Sequence, residues 1–328
     1  MSRLTNFSIE NYANSYEVPI FGSSQGKKIF VRPSTGNDAN DGLSPDKDSA
    51  VKTLTRALAI ATADQNDVVY LIAESNTAAN TTDYQSATLT WSKDLVHLVG
   101  VGAPGKFSQR ARIAQLSTAT AIDPLVNVTA DGCYFGNISI FHGVADATSK
   151  VCLKVTGTRN YFEGMHIAGV GDATMSVDNA ASLKLDGASE CTFKNCVIGL
   201  DTIARDADTE GEIWFDGGAS RIWFEDCLID TYLSADNQSV TVEDGTGIDR
   251  GIYFKNCLFM AKSTNKATAQ TTVFSIPAGI SQGAIVLQDS YAFSDGGAVD
   301  WDANNRGIIW NNSVAAAASA AGGIMTNQ

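Results

Sequence analysis

A nine-residue phrase recurs seven times along the chain and restricts the fold more strongly than any other feature. The reference copy is CTFKNCVIG at 191–199, and related copies begin at Cys133, Asn160, Ile222, Ile252, Ile285 and Ile308. The third residues of the copies are separated by 23 to 33 positions and are all large and apolar: Phe135, Phe162, Phe193, Phe224, Phe254, Leu287 and Trp310. A repeat of this length predicts a solenoid with one supersecondary unit per repeat.

The phrase also predicts the local geometry of each repeat. Phe193 and Cys196 are both apolar but three residues apart, which breaks the two-residue period of a strand. A bend at Asn195 would turn both side chains inward. The bend column holds residue types that tolerate the left-handed region or bond their own backbone: Asn137, Gly164, Asn195, Asp226, Asn256, Asp289 and Asn312. We therefore expect two strands joined by a one- or two-residue corner.

A third strand precedes each copy of the phrase. These strands are short apolar alternations, and most end in a glycine-bearing turn: 126–128, 152–155, 183–185, 213–215, 240–242, 273–276 and 299–301. Three short strands per coil of roughly 30 residues predict an all-β chain, a right-handed parallel β-helix solenoid. A leucine-rich repeat is the competing solenoid, but the helical half of such a repeat is missing.

Composition narrows the function classes. The chain has 328 residues, of which 44% are hydrophobic and 18% charged, so it has ample material for a core. Its net charge of −13 argues against a basic face for nucleic acid. The sequence contains no run of 18 apolar residues, so it predicts no membrane-spanning helix. The N-terminus lacks the apolar core of a signal peptide, so we expect synthesis in a host cytoplasm.

Cysteines and histidines are interpreted as core residues. Cys196, Cys227 and Cys257 share one repeat position, so stacking of the coils should place them in an inward column of thiols. Zinc would need four ligands, and no CxxC pair is present. The sequence therefore predicts no cofactor and no metal site. His166 falls in the inward half of its repeat and is expected to be a hydrogen-bonded core residue.

The first 63 residues divide into an arm, a strand, a loop and a helix. Residues 1–28 are polar and predict an extended N-terminal arm with scattered apolar anchors: Leu4, Phe7, Ile9, Tyr12, Tyr16, Ile20 and Phe21. The β-helix domain is predicted over 29–314, with a capping helix at about 50–63 whose N-cap would be Asp48 or Ser49. We expect 74–94 to loop out between early strands, and 315–328 to form a C-terminal tail.

The opening of the domain resembles the N-terminal segment of pectate-lyase-like right-handed β-helix proteins. The residues that carry the resemblance are GNDANDGLSP at 36–45 and KTLTRAL at 52–58. Together with the repeats, they cover most of the chain. The resemblance implies the β-helix fold, and the group includes lyases, hydrolases, tailspikes and inert phage structural proteins, so it does not choose a function.

Candidate chemistry is sparse in the repeats. Asp201 and Asp230 follow equivalent strands of adjacent coils and are the best pair of carboxylates for a glycosidase, with Trp214 and Trp223 available to stack on sugar rings. For a lyase, the outer column offers only the mixed charges Lys194, Glu225 and Lys255, and the motifs around a lyase's catalytic arginine do not occur. The sequence thus favours a non-enzymatic protein, with Asp201 and Asp230 as the catalytic alternative.

These patterns predict a structural protein of a bacteriophage virion. We expect a capsid cement or decoration protein on the capsid surface that binds the major capsid protein through the arm. By analogy with other β-helix virion proteins, we expect it to form homotrimers. A tailspike usually adds an attachment domain and a trimerising domain, for which 328 residues leave no room. The alternative is a tailspike or tail-fibre β-helix that binds or cleaves a host surface polysaccharide.

Overall fold

Parallel β-strands account for most of the structure. The computed structural model describes residues 26–206, 209–278, 283–297 and 299–302, and the backbone of 308–311 and 314–315. The strands of the early coils are β1 Lys28–Val31, β2 Val68–Ile72, β3 Thr82–Gln85, β4 Leu89–Trp91, β5 His97–Val101, β6 Arg112–Gln115, β7 Val126–Val128, β8 Tyr134–Gly136 and β9 Ser139–Phe141. Those of the middle coils are β10 Val151–Val155, β11 Tyr161–Glu163, β12 His166–Ala168, β13 Ala181–Asp186, β14 Thr192–Lys194, β15 Val197–Gly199, β16 Gly211–Asp216, β17 Ile222–Glu225 and β18 Leu228–Leu233. Those of the last coils are β19 Val240–Val242, β20 Gly251–Lys255, β21 Leu258–Ser263, β22 Phe274–Ser275, β23 Ala284–Gln288, β24 Tyr291–Ser294, β25 Ile308–Asn311 and β26 Val314–Ala315.

The strands stack into three parallel sheets, which confirms the right-handed parallel β-helix. Sheet A contains β1, β2, β5, β8, β11, β14, β17, β20, β23 and β25. Sheet B contains β3, β6, β9, β12, β15, β18, β21, β24 and β26, and sheet C contains β4, β7, β10, β13, β16, β19 and β22. Each regular coil runs from sheet A through the corner to sheet B and then to sheet C. The described residues also form helix α1 Leu54–Ile60 and the short 3-10 helices Ala78–Asn80 and Ala173–Met175.

The predicted corner column is confirmed wherever the structure describes it. Its members have backbone φ angles between 49° and 59°, all in the left-handed region: Asn137, Gly164, Asn195, Asp226, Asn256 and Asp289. Asn312 lies outside the described residues. This region favours glycine, asparagine and aspartate, which explains why these residue types occupy the bend.

The predicted interior columns are also confirmed. Successive phenylalanine rings from Phe135 to Phe254 stack nearly parallel, with ring centroids 4.5 to 5.0 Å apart. The thiols of Cys196, Cys227 and Cys257 are buried and donate to backbone carbonyl oxygens. Burial raises the pKa of the Cys196 and Cys257 thiols, so these two side chains stay protonated and act as small apolar groups.

Some sequence-based boundaries were wrong. Residues 74–94 do not simply loop out, because β3 and β4 lie within them and already belong to sheets B and C. The predicted strand at 299–301 is not formed in the described residues, where Asp300 makes only an isolated bridge to Thr272.

Helix α1 is shorter than predicted and has a different cap. Val51 is held extended by a bridge to Val31, and the carboxylate of Asp38 accepts from the backbone N–H groups of Lys52 and Thr53. The side chain of Thr53, rather than Asp48 or Ser49, accepts from the backbone N–H of Arg56 and caps the helix. Pairing with the first coil therefore overrides the helical period before Leu54.

A buried carboxyl beside α1 should make stability depend on pH. Asp83 on β3 is buried and accepts from the backbone N–H of Leu54, and burial raises its pKa from 3.8 to about 7. Since the folded pKa is raised, the stabilisation is complete below about pH 4 and is lost as pH rises through about 7. Asp83→Asn should remove this loss. Between pH 4 and pH 8, the free energy of unfolding of the variant should therefore rise relative to that of wild type by up to about 4 kcal/mol. Thermal melts of both proteins across this range test it, and parallel pH profiles would contradict it.

The corner geometry predicts an unequal response to two small substitutions. Asn195 has a φ of 54°, where a Cβ without a polar group costs about 1–2 kcal/mol. We expect Asn195→Ala to lose about that much stability and Asn195→Gly to lose clearly less, because glycine adopts this region freely. Chemical denaturation measures both, with Thr192→Ala on the neighbouring strand as the control. Equal losses for the alanine and glycine variants would show that the backbone angle is not the cause.

Candidate functional site

The structure brings Asp201 and Asp230 together, as the sequence predicted, but around a lysine that the sequence did not single out. The Nζ of Lys262 lies 3.0 Å from Oδ2 of Asp201 and 3.0 Å from Oδ1 of Asp230. Twice that distance, about 6 Å, is the greatest separation these two oxygens can have. We call these three residues the ion triad.

Register explains how the ion triad forms. Asp230 on β18 pairs with Met260 on β21, and Tyr232 pairs with Lys262, so the lysine extends from the next coil beside Asp230. Asp201 comes two residues after β15, whose Gly199 pairs with Asp230. Gly199 has a φ of 116°, and a Cβ there would lie 2.0 Å from the carbonyl oxygen of Asp230. Glycine is therefore required where the chain leaves sheet B.

The charges of the ion triad compensate one another. Burial raises the pKa of Asp230, and the hydrogen bond from Lys262 opposes that shift. Burial works against the charged form of Lys262, but hydrogen bonds to Asp201 and Asp230 raise its pKa. Asp230 is 2% exposed, whereas the side chain of Asp201 is 50% exposed. Asp201 is thus accessible to a solute, while Asp230 is enclosed and paired.

The two tryptophans do not join this site. Trp214 lies on sheet C and is buried. Trp223 lies on sheet A, is 40% exposed, and stacks on Tyr253 with ring centroids 4.4 Å apart. The expectation that they flank the carboxylates was therefore wrong, because strand alternation and sheet assignment send the two rings to different faces.

A second charged group, which the sequence did not reveal, lies under the ion triad. The guanidinium of Arg205 donates to Glu210 at 2.9 Å and to Glu212 at 2.6 and 3.1 Å. Ser176 and Ser182 donate to the same two carboxylates, each at 2.6 Å. All five residues are buried. We call them the buried arginine cluster, and its hydrogen bonds show that it holds the loop after β15 against sheet C.

Lysines line a shallow groove on the outer face of sheet C. A pocket of about 320 Å³ lies there among Asp123, Lys150, Lys154, Asn179 and Lys184. Lys154 is paired with Asp186 at 2.7 Å and Lys184 with Asp216 at 2.9 Å. The ammonium of Lys150 donates to the carbonyl oxygen of Asp178. The groove therefore presents lysines that are already paired with aspartates or a carbonyl oxygen, and its named lining residues include no free nucleophile or base.

The remaining candidate residues are accounted for as follows. His166 is buried and hydrogen-bonded, as expected: it accepts from the backbone N–H of Ser108 and contacts the carbonyl oxygen of Gly199. The expectation that it points into the core was wrong, because it stands on the outer side of sheet B in register with Ser139 and Val197. Burial lowers the pKa of His97 and His142 to about 4. Among the described residues, no group of three histidine, cysteine or acidic side chains could hold a metal, and no helix could span a membrane.

The proposed arm contacts cannot be placed in the same way. Its apolar anchors lie outside the described residues: Leu4, Phe7, Ile9, Tyr12, Tyr16, Ile20 and Phe21.

The mixed charges on the outer face of sheet A are paired with one another, since Glu225 lies 3.7 Å from Lys194 and 3.0 Å from Lys255. They form a charge ladder on a solvated sheet face.

Comparison with known proteins defines the class of the fold. No protein-family model matches the chain, and no curated protein sequence matches it. Solved structures with a similar fold include the pectate lyase Pel9A, at 14% identity and a TM-score of 0.55, over 83% of this chain and 65% of that one. A rhamnogalacturonan lyase matches at 17% identity and 0.56, over 87% and 73% of the two chains. The pectin methylesterase PemA from Erwinia chrysanthemi matches at 14% and 0.51, over 87% and 88%.

These likenesses establish the architecture. The chain shares the parallel β-helix fold of these solved structures, and it spans just under two thirds of the length of the pectate lyase. Identities of 13% to 17% show the fold alone. The neighbours act on polysaccharides, but the ion triad and the lysine groove have to be judged on their own geometry.

Proposed function

We propose that this protein is a non-catalytic structural component of a bacteriophage particle, a cement or decoration protein on the capsid surface. The observation that carries the non-catalytic part is the ion triad. A glycosidase needs one carboxyl group as acid and another as base or nucleophile, both reaching the sugar. Here Lys262 engages both carboxylates, and Asp230 is enclosed.

The rest of the structure supports a mechanical role. The core is continuous through the stacked coils, and the outward charges on sheets A and C are largely paired with one another. A rigid prism with flat faces suits a protein that reinforces a shell through lateral contacts. The N-terminal arm remains our candidate for binding the major capsid protein.

Particle association tests this proposal. We expect the protein in purified virions by mass spectrometry, at a stoichiometry tied to the capsid protein. A variant without residues 1–25 should lose particle binding but keep its β circular dichroism signal, because β1 begins only at Lys28 and Lys27 already bonds to Asp67. Absence of the protein from virions would reject the virion role. Normal binding by the truncated protein would reject only the arm.

The second candidate is a β-helix that binds or cleaves an acidic polysaccharide in a tail. Two observations favour it: the similarity of the fold to polysaccharide-acting enzymes, and the groove formed by Lys150, Lys154 and Lys184. Polygalacturonate, pectin and capsular polysaccharide are the probes. Binding that Lys154→Ala and Lys184→Ala weaken, with no turnover, would indicate a binding module. Turnover that Asp201→Asn abolishes would establish an enzyme and overturn the first proposal.

A further inference from the structure

The outer face of sheet B changes character halfway along the solenoid. One outward column runs through Arg112, Ser139, His166, Val197, Leu228, Leu258 and Tyr291, in register. Val197 is fully buried although it points away from the core, whereas Leu228 and Leu258 are half-buried and Tyr291 is 41% exposed. Something therefore covers the column up to Val197 and stops before Leu228.

The chain's own loop 102–110, which we call the crossing loop, lies over His166 and reaches the corner of the coil that carries Val197. Phe107 packs edge-on against His166 at 5.6 Å, and the backbone N–H of Ser108 donates to His166. Gln109 donates to the carbonyl oxygen of Gly164 at 2.7 Å, and Lys106 donates to Asn195 at the corner. Phe107 itself remains 51% exposed. The crossing loop thus rises from one half of the face and presents an aromatic ring and a lysine.

The other half of the face is apolar next to the corner, and the ion triad lies farther along its strands, where Asp230 pairs with Met260. Five apolar or aromatic side chains stand on the corner side, which we call the sheet B patch: Leu228, Leu258, Met260, Tyr291 and Phe293. All five are half-buried or exposed in the described structure. The corner that borders the patch carries Asp226, Asn256 and Asp289. A contiguous apolar area with a polar rim is typical of an interaction surface.

We propose that the sheet B patch binds the crossing loop of a second copy of this chain, in a two-fold antiparallel dimer. A two-fold axis that lies across the face, between the coils of Val197 and Leu228, reverses the solenoid direction and keeps corner against corner. It places the raised crossing loop of each copy on the bare half of the other. The same operation brings Lys106 of one copy to the corner of Asp226 and Asp289 in the other.

Shape and charge both favour this occupant. A raised half and a bare half on one face are complementary under an antiparallel two-fold axis, as a self-associating surface requires. A parallel two-fold arrangement would instead place loop against loop and hold the two bare halves apart. Because the chain carries a net charge of −13, a contact that pairs its scarce lysines with carboxylates offsets the repulsion between copies.

Sedimentation velocity of the full chain tests the dimer. We expect a concentration-dependent species of about 69 kDa, twice the 34.7 kDa of one chain. Leu258→Asp, which places a carboxylate inside the contact, should raise the dimer dissociation constant about tenfold or more. Val286→Asp, on the outer face of sheet A in the coil of Tyr291, is the matched control and should leave it unchanged. Circular dichroism verifies that both variants fold.

Charge reversal tests the antiparallel arrangement. Lys106→Glu should weaken the dimer, and it should do so much less in a background of Asp226→Asn and Asp289→Asn, since asparagine keeps the left-handed corner. Equal effects in both backgrounds would overturn the arrangement. A monomer at every concentration, or a dimer insensitive to Leu258→Asp, would overturn the interface. A species three times the chain mass would favour the trimer expected from the sequence and reject the two-fold axis.

Discussion

Phe193→Ala is expected to lower the free energy of unfolding by about 3–5 kcal/mol, the range for truncating a phenylalanine in a close-packed core. The ring of Phe193 is fully buried and stacks between Phe162 at 4.5 Å and Phe224 at 5.0 Å. Both neighbours are fixed by their own strands, so the cavity cannot close by a simple shift of one ring. The loss therefore includes the transfer free energy and the cavity.

Two comparisons identify the cause of that loss. Phe193→Leu keeps most of the apolar volume and should cost clearly less, while Thr192→Ala, on the same strand but pointing away from the core, should cost little. Chemical denaturation followed by circular dichroism measures all three. If Phe193→Ala costs no more than Thr192→Ala, the stacked column does not stabilise the solenoid.

The columns of this fold were predictable because each one is a residue type repeated at one position. The residue type of Asn195 alone predicts a corner, and that of Phe193 predicts a core residue. A second left-handed column escaped prediction, since it contains Arg159, Glu190 and Arg221, which do not favour positive φ. Salt bridges of 2.8 and 2.7 Å to the central Glu190 join the three residues.

Only the two carboxylates of the ion triad were predictable, for a related reason. One coil step and a two-residue offset along adjacent coils were enough to predict that Asp201 and Asp230 lie close together. The third member, Lys262, lies on the part of β21 that extends past the phrase, and its place beside Asp230 depends on register along β18 and β21. The buried arginine cluster depends on a loop that folds back, where Arg205 bridges to Leu233. Loop paths of this kind leave no periodic signal in the sequence.

Arg205→Met is expected to cost about 3–5 kcal/mol at neutral pH, because it leaves two buried carboxylates without their counter-charge. In the folded protein, burial already raises the pKa of Glu212, and Arg205 and Ser182 oppose that shift. Without the guanidinium, the folded-state pKa of this carboxyl should rise further. A raised folded pKa means that stability is retained at low pH and lost as pH rises, so the gap between wild type and variant should widen from acid to neutral pH.

Removing the stranded charges should reverse most of this effect. The triple variant Arg205→Met, Glu210→Gln, Glu212→Gln keeps acceptors for Ser176 and Ser182 but buries no net charge, and we expect it to recover more than half of the loss. Arg221→Met is the matched control, since Arg221 pairs with Glu190 at the surface and should contribute only about 0–1 kcal/mol. Thermal and chemical unfolding across pH measure these differences. A single variant no worse than Arg221→Met, or a triple variant no better than the single, would mean that packing rather than charge compensation holds the loop after β15 in place.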